Sequence, residues 1–196
     1  MRMHKYFRIF LSIIVVLILS DNCIAQTQKI KLLSPVLVTS CGQGPGSLKT
    51  EVLLKKEKIK TELETFADIH TLQTNKFKSL LIVAGFSREA MQSNNINFED
   101  EVKRIDALIA EARKLGIKII AVNAEGKGKR GASKNSESQY NEVFITHIFP
   151  KADVMIVRAD ANEDNRFTVI AQQNKNFLKV FSNSRDFQKI LKDLFE

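Results

Sequence analysis

The stretch Ser79-Leu-Leu-Ile-Val-Ala-Gly85 is a nearly continuous apolar run that ends at a glycine. Pro35–Ser40, Ile117–Val122 and Asp153–Arg158 have the same character. Short runs of this kind are typical of strands that are buried on both faces, and such strands occur in parallel sheets. Two more polar runs, residues 60–65 and 177–181, are predicted to form strands at the edges of the sheet.

Helical patterns separate these strands. The clearest is an apolar stripe at helical spacing from Phe98 to Leu115, with Asn97 able to cap its start and Gly116 its end. Further helices are predicted at residues 47–58, 69–76, 136–149, 164–173 and 184–195. The alternation predicts an α/β fold, namely a doubly wound, mostly parallel sheet of five to six strands with helices on both faces, flavodoxin-like or Rossmann-like.

The beginning of the chain has the layout of a secretory signal peptide. Three basic residues precede the apolar run Ile9–Leu19, and a small-x-small cleavage site ends at Ala25. The run is shorter than the roughly 20 apolar residues that span a membrane. We therefore expect residues 1–25 to be a signal peptide, residues 26–34 an extended N-terminal segment and residues 35–196 a single α/β domain.

This organisation predicts an exported protein, periplasmic or secreted, with no stable membrane span once the signal is removed. A lipoprotein anchored at Cys23 is the alternative, and it is less favoured because Asp21 and Asn22 are poor residues before a lipidated cysteine. No cofactor is expected, since the space outside the cytoplasm has no standing supply of nucleotide cofactors.

Composition excludes several other classes of protein. The chain has 196 residues, 44% of them hydrophobic and 27% charged, which is typical of a globular protein and not of a disordered chain or a fibre. The formal net charge is +8, but the lysines are spread along the chain and there is no tryptophan, so no nucleic-acid partner is expected. No cluster of His, Cys or acidic residues has the spacing of metal ligands, so no metal site is predicted.

Loop lengths point to one edge of the sheet as the functional edge. Three connections from strand to helix are long, at residues 41–46, 85–97 and 123–135. In a parallel sheet they all emerge at the carboxyl ends of the strands, where doubly wound folds bind ligands beside the reversal of strand order. With the strand order 2-1-3-4-5, the first two of these loops flank that reversal.

The glycine-rich turn Cys41–Ser47 follows the first strand and opens a helix. Glycines allow a ligand to approach the backbone, and free amides at a helix start favour an anion. The spacing does not match a dinucleotide fingerprint or a Walker loop. A turn without a ligand is the structural alternative. The candidate ligand-binding residues here are Gly42, Gln43, Gly44 and Ser47.

A basic loop follows the fourth strand and supplies the other half of the candidate site. Lysine and arginine on a glycine-rich loop can clamp a carboxylate, sulfate or phosphate, although a solvated basic loop explains the same residues. Arg88 follows the third strand and leads into the polar segment 92–95, which is interpreted as a lid or a surface loop. The candidate residues from these two loops are Arg88, Glu125, Lys129, Arg130 and Ser133.

Cys41 would be the only cysteine after signal cleavage. Its position near a helix start favours a thiolate, so a nucleophilic or redox role is one interpretation. No second cysteine completes a CxxC pair, and His147 is predicted to complement the dipole at the end of a helix. A structural role for both residues is preferred.

Several of these stretches together resemble a family of small exported bacterial α/β proteins of unknown function. The resemblance rests on 35–40 with Gly42-Gln43, on 80–85, on the helix 98–116, on 130–132 and on 150–153. It implies fold and export rather than chemistry, and its recurring positions are matched by Gly42, Gln43, Gly85, Glu101, Arg104, Glu125, Arg130, Gly131 and Ser133. The chain departs from the family at Cys41, Asn123 and residues 86–92.

The preferred functional hypothesis is an exported protein that binds a small polar or anionic molecule at the carboxyl edge of the sheet. One alternative is an extracytoplasmic hydrolase or transferase that uses the same edge. The other is an envelope interaction module without a small ligand. Binding without catalysis is favoured, and no catalytic residue, ligand identity, oligomeric state or protein partner is assigned.

Overall fold

The computed structural model describes residues 30–74, 76–131 and 136–195. The predicted signal peptide and Ser133 of the basic loop lie outside these ranges. These ranges begin at Ile30 and end at Phe195. The chain from Gln26 onward therefore contains the whole described fold.

Six strands alternate with seven α-helices along the described residues. The strands are β1 (Val36–Cys41), β2 (Thr61–Leu63), β3 (Ser79–Ala84), β4 (Lys118–Asn123), β5 (Val154–Arg158) and β6 (Phe177–Phe181). The helices are α1 (Gly46–Lys56), α2 (Ile69–Gln73), α3 (Arg88–Ser93), α4 (Phe98–Lys114), α5 (Ser136–Ile148), α6 (Arg166–Asn174) and α7 (Ser184–Phe195). Short 3₁₀ turns lie at Gly126–Lys129, Phe149–Lys151 and Ala159–Asn162.

The strands form one sheet in the order β2-β1-β3-β4-β5-β6, and every neighbouring pair is parallel. This confirms the predicted α/β fold and the expected reversal of strand order beside β1. Val38 of β1 lies opposite Leu63 of β2 on one side and opposite Leu81 of β3 on the other. The loops that follow β1 and β3 therefore emerge side by side at the carboxyl edge.

Each strand contributes to two hydrophobic cores because successive side chains point to opposite faces. Leu80 and Ile82 of β3 lie in the core that α2 to α6 cover, while Leu81 and Val83 lie in the core that α1 and α7 cover. The predicted stripe of α4 is buried in the first core through Ile105, Leu108, Ile109 and Ala112. Asn97 caps this helix by accepting a hydrogen bond from the Asp100 amide at 2.8 Å.

Both ends of the described chain lie at the amino edge of the sheet. The Leu32 amide donates to the Leu194 carbonyl at the end of α7, over 2.7 Å. The Ser79 hydroxyl at the start of β3 donates to the Leu33 carbonyl at 2.7 Å. These bonds fix the entering segment beside the first residues of the strands.

Residues 85–97, which the sequence predicts to be a long loop, contain the short helix α3. The Ser87 hydroxyl caps it by accepting from the Ala90 amide at 3.3 Å, and Met91 packs into the first core. A six-residue helix holds too few apolar positions to show a helical period. The serine cap followed by Glu89 was the available signal for this helix.

Candidate functional site

The turn between β1 and α1 has a backbone that favours glycine. Gly42 has a φ of 89°, and a side chain there would meet Phe144 Cε2 at 2.5 Å and Phe86 Cα at 2.8 Å. Gln43 also has a positive φ, 60°, and its Nε2 donates to the Thr65 carbonyl and to Glu101 Oε1, each at 3.2 Å. The predicted site residues Gly42 and Gln43 therefore have structural partners within the fold.

A buried ion pair behind the turn sets its position. Glu101 Oε1 accepts from the Gly42 amide at 2.8 Å, and Glu101 Oε2 lies 2.8 Å from Arg104 Nε. Arg104 also donates to the Ser40 and Ala67 carbonyls, both at 2.6 Å. Both charged side chains are almost fully buried, so each charge needs the other to offset the free-energy cost of leaving water. The pair ties the start of α4 to the end of β1.

The turn after β1 and the loop after β3 are hydrogen-bonded to each other. The Gly44 amide donates to the Gly85 carbonyl at 2.8 Å, and the Ser87 amide donates to the Gly42 carbonyl at 2.7 Å. Gly44 and Ser47 are both buried. Backbone pairing thus fills the space between these two loops at the reversal of strand order, where the sequence places a ligand crevice.

Glu125, after β4, reaches the start of α1. A Cβ atom built on Gly44 or on Gly85 would lie 2.6 Å from Glu125 Oε1, and one on Gly46 would lie 3.2 Å away. The three glycines therefore leave the room that this carboxylate occupies. Oε1 is buried and has no hydrogen-bond partner among the described residues. The anion that faces the start of α1 is thus the protein's own side chain.

Lys129 and Arg130 of the basic loop contact different neighbouring loops. Lys129 donates to the Phe86 carbonyl, and its Nζ lies 3.9 Å from Glu137 Oε2. Arg130 pairs instead with Asp164 on the loop after β5, and its own carbonyl accepts from Arg166 at 2.8 Å. Lys129 is therefore brought to the loop after β3, while Arg130 is directed away from it.

Buried Asn123 holds the shape of this loop. Its Oδ1 accepts from the Gly126 amide at 2.8 Å, and its Nδ2 donates to the Lys129 carbonyl at 3.1 Å. These bonds close the 3₁₀ turn that carries Lys129. Asn123, one of the positions at which the chain departs from the family resemblance, thus has a clear structural role.

A small pocket that the sequence analysis missed opens beside these loops. Its volume is about 150 Å³. The rings of Phe86 and Phe98 each lie 4.5 Å from the ring of Tyr140, measured between centroids. The sequence signal available for this pocket was that Phe86, Phe98 and Tyr140 lie close to the starts of α3, α4 and α5. The residues that line the pocket are Phe86, Arg88, Met91, Gln92, Ile96, Phe98 and Tyr140.

The rim of this pocket is charged. Arg88 lines the pocket with its side chain 46% exposed, and its Nε lies 3.6 Å from Glu137 Oε1. Glu137 lies between Arg88 and Lys129, because Lys129 Nζ is 3.9 Å from its other oxygen. Two of the predicted site residues, Arg88 and Lys129, are therefore brought together by one acidic residue.

Cys41 lies in the first core with no exposed surface. Burial raises the pKa of its thiol well above the ordinary value, and the nearby Glu101 carboxylate raises it further. The thiolate expected from a helix start is thus disfavoured, because desolvation is the largest influence on this group. His147 Nδ1 lies 3.1 Å from Asp106 Oδ2 in the last turn of α5, so it has a structural partner.

The described residues contain no candidate metal cluster and no candidate membrane-spanning helix. No group of three or more His, Cys, Asp or Glu residues in that part of the chain is arranged to hold a metal ion. Among the same residues, no helix combines the length and the apolar character that crossing a membrane requires.

Comparison with known proteins identifies one family. The model of the family described as Domain of unknown function (DUF6305) matches residues 33–195. No match was found among curated proteins.

Two solved structures align with most of the chain. One is an acetyl xylan esterase, AlAXEase, at 13% identity and a TM-score of 0.35, covering 80% of this chain and 78% of that one. The other is the psychrotrophic esterase EstA from Pseudoalteromonas sp., inhibited by monoethylphosphonate, at 10% identity and a TM-score of 0.31, covering 81% and 91%. At these scores the esterase activity of those proteins is not carried over to this chain.

Proposed function

Because the chain belongs to the DUF6305 family, a domain of unknown function, we propose its function from the geometry of its own site. The protein binds a small molecule that combines a short apolar or aromatic group with an anionic group. The observation that carries this proposal is the aromatic pocket of about 150 Å³ with the Arg88 guanidinium on its rim.

The pocket has the chemistry of a small-molecule site. Ligand sites in proteins are concave, mostly apolar and supplied with a few polar groups that orient the ligand. Here Phe86, Phe98 and Tyr140 form the apolar wall, and Arg88 and Gln92 are the polar groups of the lining. The volume suits one six-membered ring or a short branched chain, since an apolar cavity of about 150 Å³ accommodates benzene.

The charge of the rim favours an anionic group on the ligand. Arg88 and Lys129 contribute two positive charges, and Glu137 between them contributes one negative charge. A carboxylate that enters beside Arg88 can accept two parallel hydrogen bonds from the planar guanidinium. The other predicted site residues shape the edge in this proposal, namely Gly42, Gln43, Gly44, Ser47, Glu125 and Arg130.

Thermal melting of residues 26–196 with small carboxylates tests this proposal. Benzoate and isovalerate should raise the melting temperature, and benzamide, which lacks the charge, should raise it less. A carboxylate at a hundredfold excess over its Kd stabilises by about 2.7 kcal/mol. Arg88→Ala should remove the advantage of benzoate over benzamide, and Ile96→Trp, which fills the pocket, should remove both shifts.

Arg185→Ala is the matched control, because Arg185 is exposed in the first turn of α7 and does not line the pocket. It should leave the benzoate shift unchanged. The proposal fails if neither carboxylate shifts the melting of the wild-type protein. It also fails if Arg88→Ala and Arg185→Ala reduce the shift equally.

We also propose that the protein is exported, from the three-part layout of residues 1–25. Expression with the leader should yield protein outside the cytoplasm that begins at Gln26, as N-terminal sequencing will report. Recovery of an intact Met1 in the membrane would contradict export by cleavage. A diacylated Cys23 would support the lipoprotein alternative.

A further inference from the structure

The charges of this fold are polarised between the two edges of the sheet. Among the described residues, the segments that lead into the strands are mainly basic, and the segments that follow the strands are mainly acidic. The leading segments, 30–35, 57–60, 74–78, 115–117, 149–153 and 175–176, contain seven lysines and two acidic residues, and Lys118 is the first residue of β4. The following segments, 42–45, 64–68, 85–87, 124–131, 159–165 and 182–183, contain three basic and six acidic residues.

The topology explains this separation. In a parallel α/β fold every helix that leads into a strand ends at the amino edge, and basic residues stabilise the carbonyl end of a helix. The lysines that follow separate helices in the sequence are therefore collected on one surface. The eight lysines of this amino edge are Lys31, Lys58, Lys60, Lys76, Lys78, Lys118, Lys151 and Lys175.

Three of these lysines line two adjoining grooves and are available to a partner. Lys31, Lys78 and Lys175 are exposed, and none forms an ion pair within the described residues. The grooves have volumes of about 420 and 500 Å³, and Lys31 and Lys118 line both. The acidic residue of the second groove, Asp153, is already engaged by Arg113 at 2.9 Å and by Lys118 at 3.2 Å.

Apolar side chains lie among these lysines. Leu33 is 65% exposed and Leu115 is 36% exposed, and both line the first groove together with Lys31 and Lys78. Basic residues around exposed leucines are the composition of surfaces that lie in the interface of an anionic bilayer. A soluble anion would use the lysines and would leave the leucines exposed to water.

The exposed lysines and leucines of this edge together fit one partner, a bilayer with negatively charged headgroups. Lys31 and Leu33 lie two residues apart in the segment that enters β1, and Lys78 and Leu115 line the same groove as both of them. We propose that the amino edge of the sheet docks on the anionic headgroups of a phospholipid bilayer, through its lysines and with Leu33 and Leu115 in the interface.

Vesicle co-sedimentation of residues 26–196, which hold the whole described fold and lack the apolar segment, tests this proposal. The protein should sediment with vesicles of equal parts phosphatidylglycerol and phosphatidylcholine, and not with phosphatidylcholine alone. The triple variant Lys31→Gln/Lys78→Gln/Lys175→Gln should weaken binding on the order of 100-fold, since each lysine near an anionic surface contributes about 1 kcal/mol. Leu33→Ser should weaken it several-fold without altering the circular dichroism spectrum.

The matched control is Lys49→Gln/Lys103→Gln/Lys127→Gln, which removes the same charge from exposed lysines away from the amino edge. It should retain most of the binding. Equal losses in the two triple variants, or no binding to anionic vesicles, would overturn the proposal. So would competition by inorganic phosphate or duplex DNA at the salt concentration of the assay, because a general anion site does not need a bilayer.

Discussion

Arg130 after β4 pairs with Asp164 after β5, and not with Glu125 in its own loop. The Arg130 side chain is only 12% exposed, and the Arg166 guanidinium donates to its carbonyl. A residue predicted from the sequence to clamp an anion therefore joins two neighbouring loops of the carboxyl edge.

Arg130→Ala is expected to destabilise the protein by about 1–2 kcal/mol, because a hydrogen bond to a charged group is lost. Asp164→Asn should cost a similar amount, and the double variant should cost less than the sum of the two single variants. Urea unfolding of the four proteins measures this coupling. Full additivity would show that the pair does not stabilise the fold.

The same pair predicts a dependence on pH. The hydrogen bond from Arg130 lowers the pKa of Asp164 below its ordinary value. A group with a lowered pKa stabilises the folded state above the unfolded pKa, about 3.9, and loses that contribution as pH falls through the folded pKa. The difference in stability between wild type and Arg130→Ala should therefore be constant near neutral pH and shrink in acid. A difference that grows in acid would contradict this assignment.

Gly44→Ala should destabilise the protein by about 2–3 kcal/mol, the range for overpacking. The new methyl group would lie 2.6 Å from both the Gly85 carbonyl and Glu125 Oε1, and the bond from the Gly44 amide to Gly85 opposes movement. Gly128→Ala is the control, because nothing lies within 4 Å of its Cβ position. Chemical unfolding should show no loss of stability for Gly128→Ala.

Glu101→Gln should cost about 3–5 kcal/mol, because it leaves the buried Arg104 guanidinium without its counter-charge. Lys103→Ala on the same helix should change stability by less than about 1 kcal/mol, since the Lys103–Asp100 pair is exposed. Equal effects would mean that the Glu101–Arg104 pair behaves like a surface pair. The urea midpoints of the two variants, compared at an unchanged m-value, measure the two losses of stability.

Cys41 should not react with a thiol-specific disulfide reagent in the folded protein. The thiolate is the reactive form, and burial disfavours it here. In residues 26–196 labelling should follow unfolding in urea, whereas the exposed cysteine of the double variant Cys41→Ala/Lys49→Cys should react at once. Rapid native labelling of Cys41 would show that the end of β1 opens to solvent.

Strand hydrophobicity and helix periodicity were sufficient to predict the sheet and six of the seven described helices, because those signals depend on burial over whole elements. The contacts between loops could not be predicted in this way. Arg130 has the same sequence context whether it meets Asp164, Glu125 or a ligand, and only the spacing of β4 and β5 in the sheet decides between them. Phe86 and Tyr140 lie 54 positions apart in the chain, so their shared pocket depends on how α5 packs beside the loop after β3.

The hydrogen bond between Leu32 and Leu194 places the two ends of the described chain side by side. A short linker across these ends, with new termini in another surface loop, should therefore give a circular permutant that keeps the same sheet. An affinity tag on either end would also lie at the edge opposite the aromatic pocket. A six-residue strand spans about 20 Å, so protein immobilised through either terminus would present the pocket to solution.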